Sequence, residues 1–269
     1  MTNEQVTLGV LSVFLTVDGE CNQLGQGVWS VFVRLRGCSV GCIWCDTKYS
    51  WPNKGGEEMS PEALANHVAS IGAGCRKITI TGGEPLEQDW EALNTFIREI
   101  RSRMQGTITI ETSGTYNVET FRRQMRLAHD THVSFVVDWK LKSSRAKENA
   151  PVSMYWGLRL RDRIKIVVAH HADFAEAMEV VRDIRSANTR TPIYLSPAHG
   201  VLAPATLFSW MRTAQCHLLD VRLNLQLHKY IWPNDYRAEE SQGIDFTKRT
   251  LGREEYLRRA HEDASPVKP

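Results

Sequence analysis

Apolar, β-rich runs that alternate with amphipathic helical stretches constrain this 269-residue chain more than any other feature. The strand candidates are 8–17 (LGVLSVFLTV), 31–37 (VFVRLRG), 76–80 (RKITI), 107–111 (TITIE), 133–138 (VSFVVD), 163–168 (RIKIVV), 192–196 (PIYLS) and 218–225 (LLDVRLNL). Between several of them, DWEALNTFIREIRSRM, ADFAEAMEVVRDIRS and PATLFSWMRTA repeat apolar residues at helical spacing. In SPEALANHVASIG, Ser60 is set as an N-cap and Pro61 as the first helical residue, with a stop near Gly72. Such alternation predicts a parallel α/β sheet covered by helices, either open and doubly wound or rolled into a barrel. Polar motifs follow the strands: GCSVGC, TGGEP, ETSGT, DWK, AHH, SPAHG and QLHK. Ligands of parallel sheets bind at the carboxyl ends of the strands, so these motifs are expected to converge on a site.

Composition excludes several other classes. With 42% hydrophobic and 24% charged residues and a net charge of +2, the chain is neither disordered nor a polybasic nucleic-acid or membrane-surface binder. The N-terminus has no basic leader region, and no apolar run approaches bilayer length, so a cytoplasmic protein is expected. Cys21, Cys75 and Cys216 are scattered and read as core or incidental residues rather than a disulfide framework. Residues 140–157 form a long polar connection. From about Asn234 the chain turns densely charged, which predicts a catalytic domain over 1–233 and a C-terminal extension over 234–269 with a short helix around 251–263.

Cys38, Cys42 and Cys45 follow the second strand run with C-x3-C-x2-C spacing. A closed zinc site takes four ligands, often as two paired cysteine motifs, and no second pair exists here. A zinc would need a fourth ligand from Cys75, Cys216 or a histidine. A three-thiolate iron–sulfur cluster leaves one iron without a protein ligand and therefore open to an exogenous one. Together with Trp44 before the last cysteine, and with Thr81-Gly82-Gly83-Glu84-Pro85 about forty residues on, this arrangement resembles the radical S-adenosylmethionine (SAM) superfamily. The resemblance implies a [4Fe–4S] cluster on the three cysteines. It also implies SAM chelated to the fourth iron and cleaved by one electron to a radical that takes a substrate hydrogen.

Further stretches narrow the resemblance. FLTVDGE (14–20), VFVRLRGC (31–38), CIWCDTKYSW (42–51), VVDWK (136–140), KIVV (165–168), YLSPA (194–198) and QLHKYIWP (226–233) resemble the 7-carboxy-7-deazaguanine synthase family of 7-deazapurine and queuosine precursor biosynthesis. That family implies an incomplete TIM-like β/α barrel, a homodimer, Mg²⁺, and a reducing protein such as a flavodoxin or ferredoxin. Its lyase reaction turns 6-carboxy-5,6,7,8-tetrahydropterin into 7-carboxy-7-deazaguanine with loss of ammonia. The resemblance implies substrate binding by Val17, Asp18, Gly19, Glu20, Arg34, Thr81 and His228, with His228 at the end of the last strand. It implies SAM binding by Trp44, Cys45, Asp46, Gly82, Gly83, Glu84, Glu111, Ser113, Asp138, Trp139, Lys140, Leu195, Ser196, Pro197 and Ala198, and Mg²⁺ at Thr47. Glu84 is expected to meet an ammonium and Arg34 a carboxylate. Two departures stand out. Asp18-Gly19-Glu20-Cys21 replaces the family's frequent Gln-Gly-Glu-Gly, and Asp138-Trp139-Lys140 replaces Ser-Pro-Lys. The chain also runs past the QLHK stretch, whereas some members end there in a proline, so a substrate contact from Pro269 is not carried over. A glycyl-radical activase shares the cluster and GGEP motifs but gives no reason for CDT and QLHK. A noncatalytic partner-binding protein gives none for intact cysteines.

Overall fold

The computed structural model describes residues 6–127, 130–147, 149, 151–187 and 189–232. The expected extension over 234–269, its helix and Pro269 lie outside them. The strands are β1 (Leu8–Asp18), β2 (Val28–Leu35), β3 (Glu57–Met59), β4 (Lys77–Gly82), β5 (Thr107–Thr112), β6 (Val133–Trp139), β7 (Arg163–Val168), β8 (Ile193–Pro197) and β9 (Val221–Leu223). The helices are α1 (Pro61–Ile71), α2 (Trp90–Arg103), α3 (Val118–Gln124), α4 (Val152–Trp156), α5 (His171–Ser186), α6 (Pro204–Thr213) and α7 (His228–Ile231).

One sheet runs β3-β1-β2-β4-β5-β6-β7-β8-β9. From β2 to β9 every neighbour is parallel, while β1 lies antiparallel between β2 and β3. Sequential parallel order with intervening helices is the β/α-barrel arrangement rather than the doubly wound one, which would reverse strand order midway. Among the described residues no ladder joins β9 to β1 or β3. Turns bridge them instead, with the Leu227 N–H donating to the Gly19 carbonyl at 3.0 Å and the Gln26 amide to the Asn224 side chain at 3.0 Å.

Strand parity explains what faces where. In β4, Ile78 and Ile80 pack outward under α1 and α2, so Lys77, Thr79 and Thr81 face the barrel interior. In β7, Ile164, Ile166 and Val168 are fully buried under helices, leaving Lys165 and Val167 inside. The barrel interior is accordingly polar, and the apolar core sits between sheet and helices. The Ser60 cap forms as expected, its hydroxyl accepting the Ala63 N–H at 3.2 Å ahead of α1. The run 218–225 yields only three strand residues, because Cys216–Leu219 form a 3-10 turn closed by Asp220 in the left-handed region. The antiparallel β3 strand lacks an apolar alternation and has no counterpart in the expected runs.

Candidate active site

The loop after β2 carries Cys38, Cys42 and Cys45, all free thiols on the wall of one cavity of about 420 Å³. The loop is held from both sides. The Cys38 N–H donates to the Trp51 carbonyl at 3.1 Å, and the Ile43 N–H donates to the Ser144 carbonyl at 2.9 Å. The connection after β6 thus folds over the cysteines, with the Lys147 N–H donating to the Val40 carbonyl at 2.9 Å. The TGGEP loop is zipped to the same segment. The Gly83 N–H donates to the Leu35 carbonyl at 2.7 Å and the Glu84 N–H to the Gly37 carbonyl at 2.8 Å. A Cβ on Gly83 would stand 2.0 Å from the Gly37 carbonyl oxygen, so only glycine permits this approach. Gly83→Ala is expected to cost at least tenfold in cluster occupancy, read as iron per chain after reconstitution. Full iron loading with wild-type absorbance would contradict this.

Burial pushes the Cys38 thiol up to about 11 and raises Cys42 as well. Metal loading at these thiols therefore displaces protons. Among the described residues no three His, Cys, Asp or Glu side chains gather closely enough for a single metal ion. An iron–sulfur cluster has no such requirement, since each thiolate binds a different iron.

Carboxylates and lysines alternate across the barrel interior. Lys165 Nζ lies 2.9 Å from Glu20 Oε2 and 3.4 Å from Asp138 Oδ1, and Lys140 pairs with the other Asp138 oxygen. Burial alone would raise Glu20. The charges of Lys165 and His228 and the Gln226 amide at 2.9 Å override it and hold the carboxyl at about 2. Burial pushes Glu111 up to about 7; nearby Lys165 and the Thr81 hydroxyl at 2.7 Å oppose the rise, and Glu20 and Asp18 add to it. The folded protein therefore keeps a proton on Glu111 that an unfolded chain releases above 4.5. Its contribution to stability is full below that value and falls as pH rises toward 7. Glu111→Gln is expected to flatten this decline in urea midpoints between about pH 5 and about pH 8. An unchanged slope in the variant would contradict the assignment.

All the predicted site residues except Leu195 line this cavity. Leu195 is fully buried in the core, because parity within β8 turns its neighbour Ser196 inward and Leu195 outward. The AHH motif is not at the site either. His170 precedes α5, where its N–H meets Asp173, and His171 packs edge-on against Trp210 at 5.0 Å. His228 begins α7 rather than ending a strand. It is packed against Gly19, where a Cβ would stand 2.9 Å from its Nδ1, and burial lowers its pKa.

Two carboxylates are committed within the protein. Asp18 Oδ2 accepts from Lys77 and Thr79, and Oδ1 accepts the Glu20 N–H at 3.1 Å. Glu84 Oε1 accepts from Thr112 at 2.6 Å and Oε2 from the Ser113 N–H at 2.7 Å. Glu84 thereby ties the TGGEP loop to ETSGT while still lining the cavity. Sequence reasoning missed Lys165, Gln226 and Lys229 on the cavity wall; Lys229 Nζ lies 2.8 Å from Asp46. Parity in RIKIVV was the available signal for Lys165.

The arrangement can hold an iron–sulfur cluster at one pole and a polar, carboxylate-bearing ring system at the other. A family model for a 4Fe-4S single cluster domain matches residues 23–155. The 7-carboxy-7-deazaguanine synthase of Clostridium acetobutylicum is 33% identical over 231 residues, covering 84% of this chain and 96% of that protein. That of Koribacter versatilis is 31% identical over 247 residues, covering 87% and 99%. The crystal structure of QueE from Escherichia coli superposes with a TM-score of 0.60 at 25% identity over 82% of this chain and 94% of that one. The fold is also that of anSMEcpe with bound AdoMet and a peptide, with a TM-score of 0.51 at 14% identity over 72% and 63% of the two chains.

Proposed function

This chain belongs to the 7-carboxy-7-deazaguanine synthase family, and from that premise we propose how its cavity performs the family's ring contraction. It is a radical SAM lyase that converts 6-carboxy-5,6,7,8-tetrahydropterin to 7-carboxy-7-deazaguanine and ammonia. The observation that carries the reading is that one cavity is walled jointly by the three cysteines, the TGGEP loop, Arg34 and the Asp18-Gly19-Glu20 turn.

Cys38, Cys42 and Cys45 hold the [4Fe–4S] cluster, and the Gly82-Gly83 backbone with Ser113, Asp138 and Lys140 receives SAM. Together these groups supply one-electron cleavage of the sulfonium and hydrogen abstraction from the substrate. The chain's own residues orient the pterin. Arg34 lies 6.0 Å from the Phe14 ring centroid and 5.9 Å from that of Tyr49, a cation framed by aromatic rings that suits the substrate carboxylate. Glu20, kept ionised beside Lys165, accepts from the 2-amino-pyrimidinone edge. Thr81, joined to Glu111, and His228 complete the substrate wall. Asp18 supports the turn rather than meeting the ring.

Mg²⁺ at the Thr47 hydroxyl belongs to the same proposal, with the substrate carboxylate in its shell. Thr47 Oγ1 lies 3.4 Å from the Cys45 sulfur and lines the same cavity, which supports this reading. Thr47→Ala is expected to weaken the Mg²⁺ dependence of turnover while leaving cluster absorbance intact; loss of the cluster would count against the role. The proposal also includes a single catalytic domain over 1–233, a homodimer, a cytoplasmic setting and a protein reductant. No described helix is long and apolar enough to cross a membrane. The relatives bear the synthase name, which favours this reading over an activase or a noncatalytic scaffold.

Binding tests the pole assignment. Wild-type protein should bind the carboxylated tetrahydropterin at least tenfold tighter than its decarboxylated analogue, and Arg34→Ala should erase that preference. An undiminished preference in the variant would overturn the role of Arg34.

A further inference from the structure

Lys165 stands on the cavity wall between the turn after β1 and strand β6. Its ammonium donates to Glu20 Oε2 at 2.9 Å and lies 3.4 Å from Asp138 Oδ1, on its register partner in β6. The second contact is one of charge alone, since Asp138 Oδ1 holds no hydrogen bond among the described residues. An ammonium carries three donors, so Glu20 uses one and at least one more is left over. The Lys165 side chain is 13% exposed and lines the cavity. Burial alone would lower its pKa. Asp138, Glu20 and Glu111 override burial and push it well above the ordinary lysine range, so the donor stays charged. Glu20 is pinned through its other oxygen, where Oε1 accepts from the Gln226 amide at 2.9 Å. The wall thus presents a carboxylate acceptor and an ammonium donor side by side, each held by a further partner.

We infer that Lys165 is a specificity-determining residue, which donates to the ring carbonyl of the substrate while Glu20 accepts from the adjacent ring N–H. The inference rests on the substrate reading above and deepens it. A 2-amino-4-oxopyrimidine edge presents, in order, an amino donor, an N–H donor and a carbonyl acceptor. The Glu20–Lys165 pair is complementary to the last two, acceptor against N–H and donor against carbonyl. The order is what discriminates. In a 2,4-diamino ring the same nitrogen has lost its hydrogen, and the carbonyl beside it has become an amino donor. A lone pair then faces the Glu20 carboxylate and an amino group faces the Lys165 ammonium, so both contacts turn unfavourable in a buried site. The 2-amino-4-oxo edge is common to 6-carboxy-5,6,7,8-tetrahydropterin and to 7-carboxy-7-deazaguanine, because the contraction rebuilds only the other ring. Lys165 and Glu20 therefore grip the half of the molecule that does not react, which orients the half that does. With Arg34 on the carboxylate, charged grips at both ends of the substrate define one orientation.

The test uses the full chain with its cluster reconstituted and SAM present but no reductant, so that binding is read without turnover. Equilibrium dialysis under anaerobic conditions compares 6-carboxy-5,6,7,8-tetrahydropterin with its 2,4-diamino analogue. Wild type should favour the 4-oxo ring by about a hundredfold or more. Lys165→Met should cut that preference by about tenfold or more, and Lys165→Arg, which keeps a charged donor, should retain most of it. A lysine that acted only through the charge of Glu20 would lose its influence once position 20 cannot titrate. The comparison is therefore repeated in the Glu20→Gln background, where adding Lys165→Met should again cut the preference severalfold. That background also removes one of the two carboxylates stranded by the loss of Lys165, so it carries the comparison should Lys165→Met alone fail to fold. An unchanged preference on adding Lys165→Met to Glu20→Gln would overturn the inference, as would a wild type that binds both rings equally. Wild type that binds neither ring would strike the substrate reading itself, and the inference with it.

Discussion

Lys77→Met is expected to destabilise the protein by about 3–5 kcal/mol, because it strands a buried carboxylate. Lys77 and Asp18 are 1% and 2% exposed, and their pair sits near the start of β4 with the Thr79 and Ser30 hydroxyls beside it. Neutralising both partners, as in Asp18→Asn with Lys77→Met, should recover most of the loss, since two neutral groups need no compensating charge. Urea unfolding midpoints of the singles and the double form the cycle. A loss below about 1 kcal/mol for Lys77→Met alone would contradict the account. The pair also reaches the site. Asp18 Oδ1 accepts the Glu20 N–H, a contact that the amide oxygen of the Asp18→Asn change can keep, so the double variant should hold the KM for the pterin near wild type.

Lys165→Met is expected to lower kcat/KM by about a hundredfold or more, the scale of removing one partner of a buried charge pair. The substitution leaves Glu20 and Asp138 facing each other across the barrel without their shared cation. In wild type the balance of burial against Lys165 and its neighbours holds Glu20 at about 2, so no acid limb from Glu20 falls in the working range. In the variant burial is opposed less, the Glu20 pKa rises, and kcat/KM should fall on the acid side as Glu20 protonates. Lys165→Arg restores the charge and should remove that acid limb, even if rate recovers only partly. A kcat/KM profile identical in shape for wild type and Lys165→Met would show that Lys165 does not set the Glu20 charge.

Strand runs and the ends they present were legible because parallel barrel strands are apolar on their helix side and stop at polar turns. The same reading took each run whole, without using its parity. Leu195 and Ser196 are adjacent in one motif, yet a period of two sends them to opposite faces of β8. Lys165 was hidden inside an apolar run for the same reason. The 140–157 connection reads as polar linker, but Leu141 and Tyr155 are buried, and the Tyr155 hydroxyl donates to the Asp138 carbonyl at 2.8 Å. Such long-range hydrogen bonds leave no periodic trace. Nor does the commitment of Asp18 and Glu84, whose partners lie 59 and 28 residues away along the chain. Resemblance marks such residues as important without saying whether they touch a ligand or hold another residue in place.

The central claim is that one cavity joins a three-cysteine cluster to a carboxytetrahydropterin. Anaerobic reconstitution followed by turnover with dithionite, SAM, Mg²⁺ and 6-carboxy-5,6,7,8-tetrahydropterin tests it most directly. The account predicts cluster absorbance, 5′-deoxyadenosine, and 7-carboxy-7-deazaguanine with one ammonia released per product. Deoxyadenosine formed without the deazaguanine product would contradict the substrate assignment, and an absent cluster would contradict the whole account.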